Sequence, residues 1–182
     1  MNQLAQNIVV LHESVPTMLS AWVWAVLLLL VIPLALTGGV LWATTGSVVG
    51  GPARPVILSA YAVILLVAVW IVVGMARSSL SFDGNLLEIR GGMYKQTVQL
   101  NMMDKSSLRV HDHNEDPGFT VRTNGVGLPG FQAGWFRDRQ GAKVFVAYGG
   151  GPWLQFQTKE GLRYVVGVKN PEKLRSILAS KM

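Results

Sequence analysis

The six residues His111-Asp112-His113-Asn114-Glu115-Asp116 gather imidazole and carboxylate groups, both legitimate ligands for a divalent metal. Asp112-x-Asn114-x-Asp116 also opens like a calcium-binding loop. That loop needs Gly at its sixth position and Glu at its twelfth, where this chain has Pro117 and Thr123. The pattern fails, and Asn, Asp, Pro and Gly in this order read as a solvated turn. Gly125-x-Gly127-x-x-Gly130 matches the dinucleotide fingerprint as a string. The fingerprint must close a strand and open a helix that receives pyrophosphate. Here Pro129 interrupts it and Gly134-Trp135-Phe136 continues in extended style, so the glycines read as a tight turn using positive φ. Gly149-Gly150-Gly151 lacks the Gly-Lys-Ser/Thr ending of a phosphate loop and reads as a hairpin connection. With no cysteine, His12 in the N-terminal segment and the other two histidines in one loop, no nucleophile–base set can be assembled. The expectation is a protein that is not an enzyme and that holds neither metal nor cofactor.

Two apolar stretches position everything else. Residues 18–37 and 55–75 contain no charged side chain, and the second follows a loop at 38–54 rich in Gly, Ser and Thr. At 1.5 Å per residue each is about 30 Å of helix, the thickness of a bilayer's hydrocarbon core. A cleaved signal peptide is excluded for the first by its length and by the absence of Lys or Arg before it. Pro33 is expected to kink the first span. Trp22, Trp24, Trp42, Tyr61 and Trp70 supply amphipathic rings of the kind found at headgroup boundaries. Residues 1–17 form a short polar leader, and the remainder, 78–182, is one small domain.

The net charge of +6 is concentrated in that domain, which has fourteen Lys and Arg against nine Asp and Glu. Arg77, Arg90 and Lys95 flank the second span, whereas the loop carries only Arg54, so both termini are expected on the cytoplasmic side of the inner membrane. The basic residues are not clustered, and nothing beyond the pI favours nucleic acid. The lipid bilayer is the first partner implied, and anionic lipid the next.

From Leu80 the pattern alternates. Leu87 to Arg90, Thr97 to Leu100, Leu108 to Val110, Phe119 to Arg122 and Gly134 to Phe136 read as short strands separated by Gly, Asn and Asp. Lys143 to Tyr148, Trp153 to Thr158 and Arg163 to Val168 follow at even spacing. Asn170 as N-cap, Pro171 at the first helical position and Glu172 in the first turn then open a helix with Leu174, Ile177 and Leu178 on one face. The fold class is therefore a two-span helical hairpin followed by a mainly-β domain of about seven strands and a C-terminal helix.

The run Arg122-Thr123-Asn124-Gly125-Val126-Gly127-Leu128-Pro129-Gly130, then Gly134-Trp135-Phe136 and Gly141-Ala142-Lys143-Val144, resembles the bacterial pleckstrin-homology-like (PH) domains. Thr158 to Gly161 and Asn170-Pro171-Glu172 continue the likeness in the family's order, over roughly Leu80 to Met182. The resemblance implies a strongly bent antiparallel sheet of about seven strands closed by the C-terminal helix, with no catalytic activity. Beyond Lys95, no basic cluster near Gly91 matches the phosphoinositide site of eukaryotic relatives. The expected function is a non-catalytic binding or scaffolding module for a protein, peptide or lipid. Its partner would be another membrane or cytoplasmic protein, or a second copy of the chain. Candidate contacts are Lys95, Arg122, Asn124, Gly125, Trp135, Arg137, Arg139 and Lys143. The alternative is an accessory subunit of a larger transporter or envelope complex, with small residues Ser59, Ala60, Ala62, Ala68 and Gly74 allowing close helix approach.

Overall fold

The computed structural model describes residues 11–46 and 54–182. The leader before residue 11 and the loop segment 47–53 lie outside the described residues. The first long helix is built from α1 (Leu19–Val26), a π-turn (Leu27–Val31) and α2 (Ile32–Thr45). Where a kink at Pro33 was expected, the backbone forms that π-turn just before the proline. Proline has no N–H and its ring crowds the carbonyl four residues back, so the ladder slips by one residue, with the Ile32 N–H donating to Leu27 O. The helix runs on through Gly38 and Gly39, where a loop was expected, to Gly46 at φ 68°, whose N–H returns to Trp42 O at 2.9 Å. Helical glycine is tolerated where no water competes for the backbone groups. The second helix, α3, spans Arg54–Ala76.

Both helices are long and apolar enough to cross a membrane, and only 11% and 6% of their most apolar stretches are buried. A soluble protein's core helix would be largely enclosed. These instead expose Leu36, Val40, Trp42, Val56 and Leu66, an apolar surface far beyond what a water-soluble chain tolerates.

Among the described residues the β domain contains ten strands in two sheets rather than the roughly seven expected. The first sheet is antiparallel in the order β1 (Leu11–Ser14), β2 (Ser79–Phe82), β3 (Leu86–Gly91), β4 (Tyr94–Gln99). The second comprises β5 (Arg109–His111), β6 (Phe119–Leu128), β7 (Phe131–Asp138), β8 (Lys143–Tyr148), β9 (Trp153–Gln157) and β10 (Arg163–Gly167), in the spatial order β5-β9-β10-β8-β7-β6. Helix α4 (Pro171–Lys181) closes the domain, capped as expected by Asn170 Oδ1 accepting from the Lys173 N–H at 3.1 Å.

Three local readings are corrected by nonlocal pairing. Leu11–Ser14, within the expected leader, is a strand whose residues pair with Phe82–Ser79 across the whole helical hairpin. The segment from Asn124 to Leu128 continues β6 instead of turning, and the turn is Pro129–Gly130 alone. Among the glycines read as a positive-φ turn, only Gly130 has that conformation (φ 80°). Gly125 is required for another reason, since a Cβ there would lie 2.3 Å from Ala133 O on the paired strand. Gly149–Gly151 is not a hairpin, because β10 lies between β8 and β9 and runs parallel to β8. The triple glycine is a dock instead. A Cβ on Gly149 would meet Pro16 O at 1.7 Å, and the Met18 N–H donates to Gly149 O, so the chain entering α1 is laid onto the domain.

Two apolar clusters hold these parts together. Leu80, Phe82, Leu87 and Ile89 of the first sheet pack against Phe145, Leu154, Phe156 and Tyr164 of the second, with Leu174 and Leu178 of α4. A separate cluster joins Ala21, Ala25 and Met75 of the long helices to Leu128, Phe131 and Ala133 of the β6–β7 hairpin. The helices and the domain are thereby one packed body.

Candidate binding surface

Apart from Lys95 on β4, the predicted contacts lie along the β6–β7–β8 meander. At one end, Arg137 is tied back to its own turn, donating from Nη1 to Gly141 O at 2.6 Å, and Arg139 pairs with Asp116 at 2.5 Å. Lys143 is exposed on the same turn, opposite Arg137 in register. The turn is built by Asp138, whose Oδ1 accepts from the Gln140 and Ala142 N–H groups at 2.9 Å each, with Gly141 at φ 85°. Asp138 Oδ2 also faces Arg163 Nη1 at 3.9 Å. Burial pulls the Arg163 guanidinium below its ordinary pKa, opposed by Asp138 and Asp116, and Nη2 donates to Pro117 O at 2.7 Å. These groups line a cleft of about 260 Å³ in which two cations face two carboxylates, so it holds little net charge to offer a ligand.

Nearer the helices, Asn124, Gly125 and Trp135 sit together. Asn124 and Trp135 are register partners, Asn124 Oδ1 accepts from the Tyr94 hydroxyl at 2.8 Å, and Trp135 rests edge-on against Phe145. This Tyr94–Asn124 bond ties the β4 edge of the first sheet to the β6 edge of the second. Trp135 is half-buried against the main core, so its main role is packing. Lys95 shares Glu88 with Arg90, at 2.7 Å and 2.8 Å. Hydrogen bonds from Lys95, then Arg90, hold the Glu88 carboxyl below its ordinary pKa. Arg122 is exposed and its guanidinium lies along Gly127, 3.7 Å from where a Cβ would be.

The His111–Asp116 segment is the loop that crosses from β5 at one edge of the second sheet to β6 at the other. His111 stacks on Trp153 with centroids 4.0 Å apart and accepts or donates at Nδ1 to Glu115 at 2.5 Å. That bond, together with the Asp112 N–H, lowers the Glu115 pKa. Among the described residues no three His, Asp or Glu side chains converge as a metal site. An apolar cleft of about 340 Å³ lies between the long helices at their loop end, lined by Leu36, Thr37, Val40, Leu41, Val56, Ile57, Ala60 and Tyr61.

Residues missed from sequence are two that join the β domain to the helices: Phe131 and Met93. Met93, on the β3–β4 turn, lies against Gly74 of α3, where an added Cβ would meet its sulfur at 3.0 Å. The available signal was the uncharged run from Thr123 to Phe136. Comparison of the chain with protein-family models, with curated proteins and with solved structures finds no match.

Proposed function

We propose that this chain is a non-catalytic membrane module, in which a two-helix anchor presents a PH-like β domain to a protein segment at the bilayer surface. The observation that carries the reading is the apolar cluster joining Ala21, Ala25 and Met75 to Leu128 and Phe131, which fixes the domain's orientation relative to the anchor. A freely tethered domain would need no such contact. The surface offered is the outer edge of β6, ten residues long, with Val121 exposed upon it. Unpaired strand edges accept extended peptides through main-chain hydrogen bonds. The pairing of β1, before the first helix, with β2, after the second, supports a reading in which both flanks of the anchor lie on one side of the membrane. Arg77, Arg90 and Lys95 against the lone Arg54 favour the cytoplasm as that side.

A photo-crosslinking residue at Val121, in intact membranes, should give a discrete protein adduct, with none from the same group at Lys159. Equal adducts at both sites, or lipid alone at Val121, would remove β6 as the contact. For orientation, a cysteine at Gly46 should react with an impermeant thiol reagent in intact cells while one at Ser180 stays protected. The opposite labelling would make the domain external.

The alternative, an accessory subunit whose helices carry the specificity, draws support from the apolar cleft between Leu36–Leu41 and Val56–Tyr61. Exchange of both helices for an unrelated hairpin separates the two readings, since only the accessory subunit loses function.

A further inference from the structure

The level at which the β6–β7 hairpin meets the helices carries a consequence for the lipid itself. Its turn touches the first residues of α1, where a Cβ on Gly130 would lie 2.9 Å from Ser20 Oγ and 3.4 Å from Ala21. Packed around Leu128 and Phe131 are Ala25 and Met75, with Trp22, Leu29, Ile71 and Val126 alongside. Ala25 is about 9 Å along the helix from Leu19, and Ile71 about 7 Å back from Ala76, at 1.5 Å per residue. Trp24 is about 7 Å along the helix from Leu19 and Trp70 about 9 Å back from Ala76, and Trp24 lies about 27 Å of helix from Trp42, close to the separation of two interfacial aromatic belts. The stretch Leu19–Ala43 has 25 residues. That is about 37 Å, longer than a 30 Å core, so its first turns belong in the headgroup layer. The hairpin reaches that layer with no charge between Thr123 and Phe136. Just above the tip, Arg122 reaches down to Gly127, and Arg77 is exposed at the end of α3. Neither makes an ion pair among the described residues, unlike Arg90 and Lys95, which share Glu88.

We propose that the β6–β7 tip, Val126 to Phe131, is seated in the headgroup layer of the domain-side leaflet, with Arg122 and Arg77 engaging lipid phosphate. The tip would then be a third membrane contact beside the two helices. Leu128 and Phe131 are buried against the helices, so the uncharged Gly127 and Pro129, both exposed, and half-buried Val126 are what face the boundary where acyl chains begin, and the guanidiniums meet phosphate at the height where it lies. The inference rests on the two helices crossing the bilayer but not on the identity of any protein partner.

The chain has no cysteine, so single sites can be labelled in the full-length protein reconstituted into vesicles. A polarity-sensitive fluorophore at Pro129 should be quenched by lipid carrying a shallow spin label and shielded several-fold from aqueous iodide, relative to the same label at exposed Gln140. A Gly127→Cys label repeats the measurement at a site where the added Cβ meets nothing closer than 3.7 Å. A label at Val63, midway along α3, should be quenched by deep spin-labelled lipid. If Val63 is not in lipid, the spanning reading itself fails. If Val63 is in lipid while both tip labels are as open to iodide as Gln140, the tip proposal falls alone. Adding phosphatidylglycerol to phosphatidylcholine vesicles should deepen the tip's shielding in the parent. Arg122→Gln combined with Arg77→Gln should abolish that increment, and an undiminished increment would overturn the phosphate contact.

Discussion

Strand β7 has a turn at each end, and the two turns differ in everything except their glycine. Pro129–Gly130 and Asp138–Gly141 both end in a positive-φ glycine, 80° and 85°. The first turn has no charged residue, and the residues on either side of it, Leu128 and Phe131, pack against the long helices. The second is stitched by Asp138, surrounded by Arg137, Arg139 and Lys143, and faces solvent. One strand thus joins an end built for apolar surroundings to an end built for water. Turn geometry does not distinguish them; the residues on either side do.

The comparison can be broken most directly at Phe131, which is fully buried between hairpin and helices. Phe131→Ala should destabilise the protein by about 3–5 kcal/mol, read as a lowered unfolding midpoint of the full chain in vesicles. A smaller loss than at the far turn would mean that the apolar junction is not what secures the domain. At the other end Asp138→Ala removes two turn hydrogen bonds and the carboxylate facing half-buried Arg163, for about 2–3 kcal/mol. Asp138→Asn, which keeps an accepting oxygen, should recover part of it. Arg139→Ala breaks only an exposed pair with Asp116 and should cost under about 1 kcal/mol, less still at high salt.

The smallest effect is the pH response. Glu88 and Glu115 have folded pKa values below the usual 4.5, the first through Lys95 and Arg90, the second through His111. Lowered carboxyl pKa values contribute stability above the unfolded value, and that stability is lost as pH falls through the folded one. Stability should therefore be level above the carboxylate range and decline below pH 4.5, and Glu88→Gln should make the decline shallower. An unchanged slope in that variant would separate Glu88 from the response.

How much of this was legible follows from how local each signal is. Both long helices, strands β8 to β10 and the Asn170-capped helix were readable because their determinants lie within one element. Strand β1 was not, because four residues gain their meaning from Ser79–Phe82 on the far side of the hairpin. Gly125 was misread for a physical reason: glycine serves both positive φ and close approach, and only the position of Ala133 O tells which. The same ambiguity made Gly149–Gly151 look like a hairpin rather than a seat for Pro16. Of the candidate contacts, Arg122 stands clear of the neighbours that engage Lys95, Asn124, Arg137 and Arg139. The basic pattern showed that these residues exist but not that Glu88, Tyr94, Gly141 and Asp116 would occupy the others.

The pairing of β1 with β2 also sets an order of events on the ribosome. Ser14 is made early, yet its register partner Ser79 leaves the exit tunnel some 65 residues later, which is several seconds at roughly 5–20 residues per second. Throughout that wait the first strand has no sheet to join, and both long helices must be made before it can. The first sheet therefore cannot be completed until the chain has passed through both long helices to β2. An arrested or truncated chain would leave Leu11 to Ser14 as an unmet strand, open to pairing with another edge.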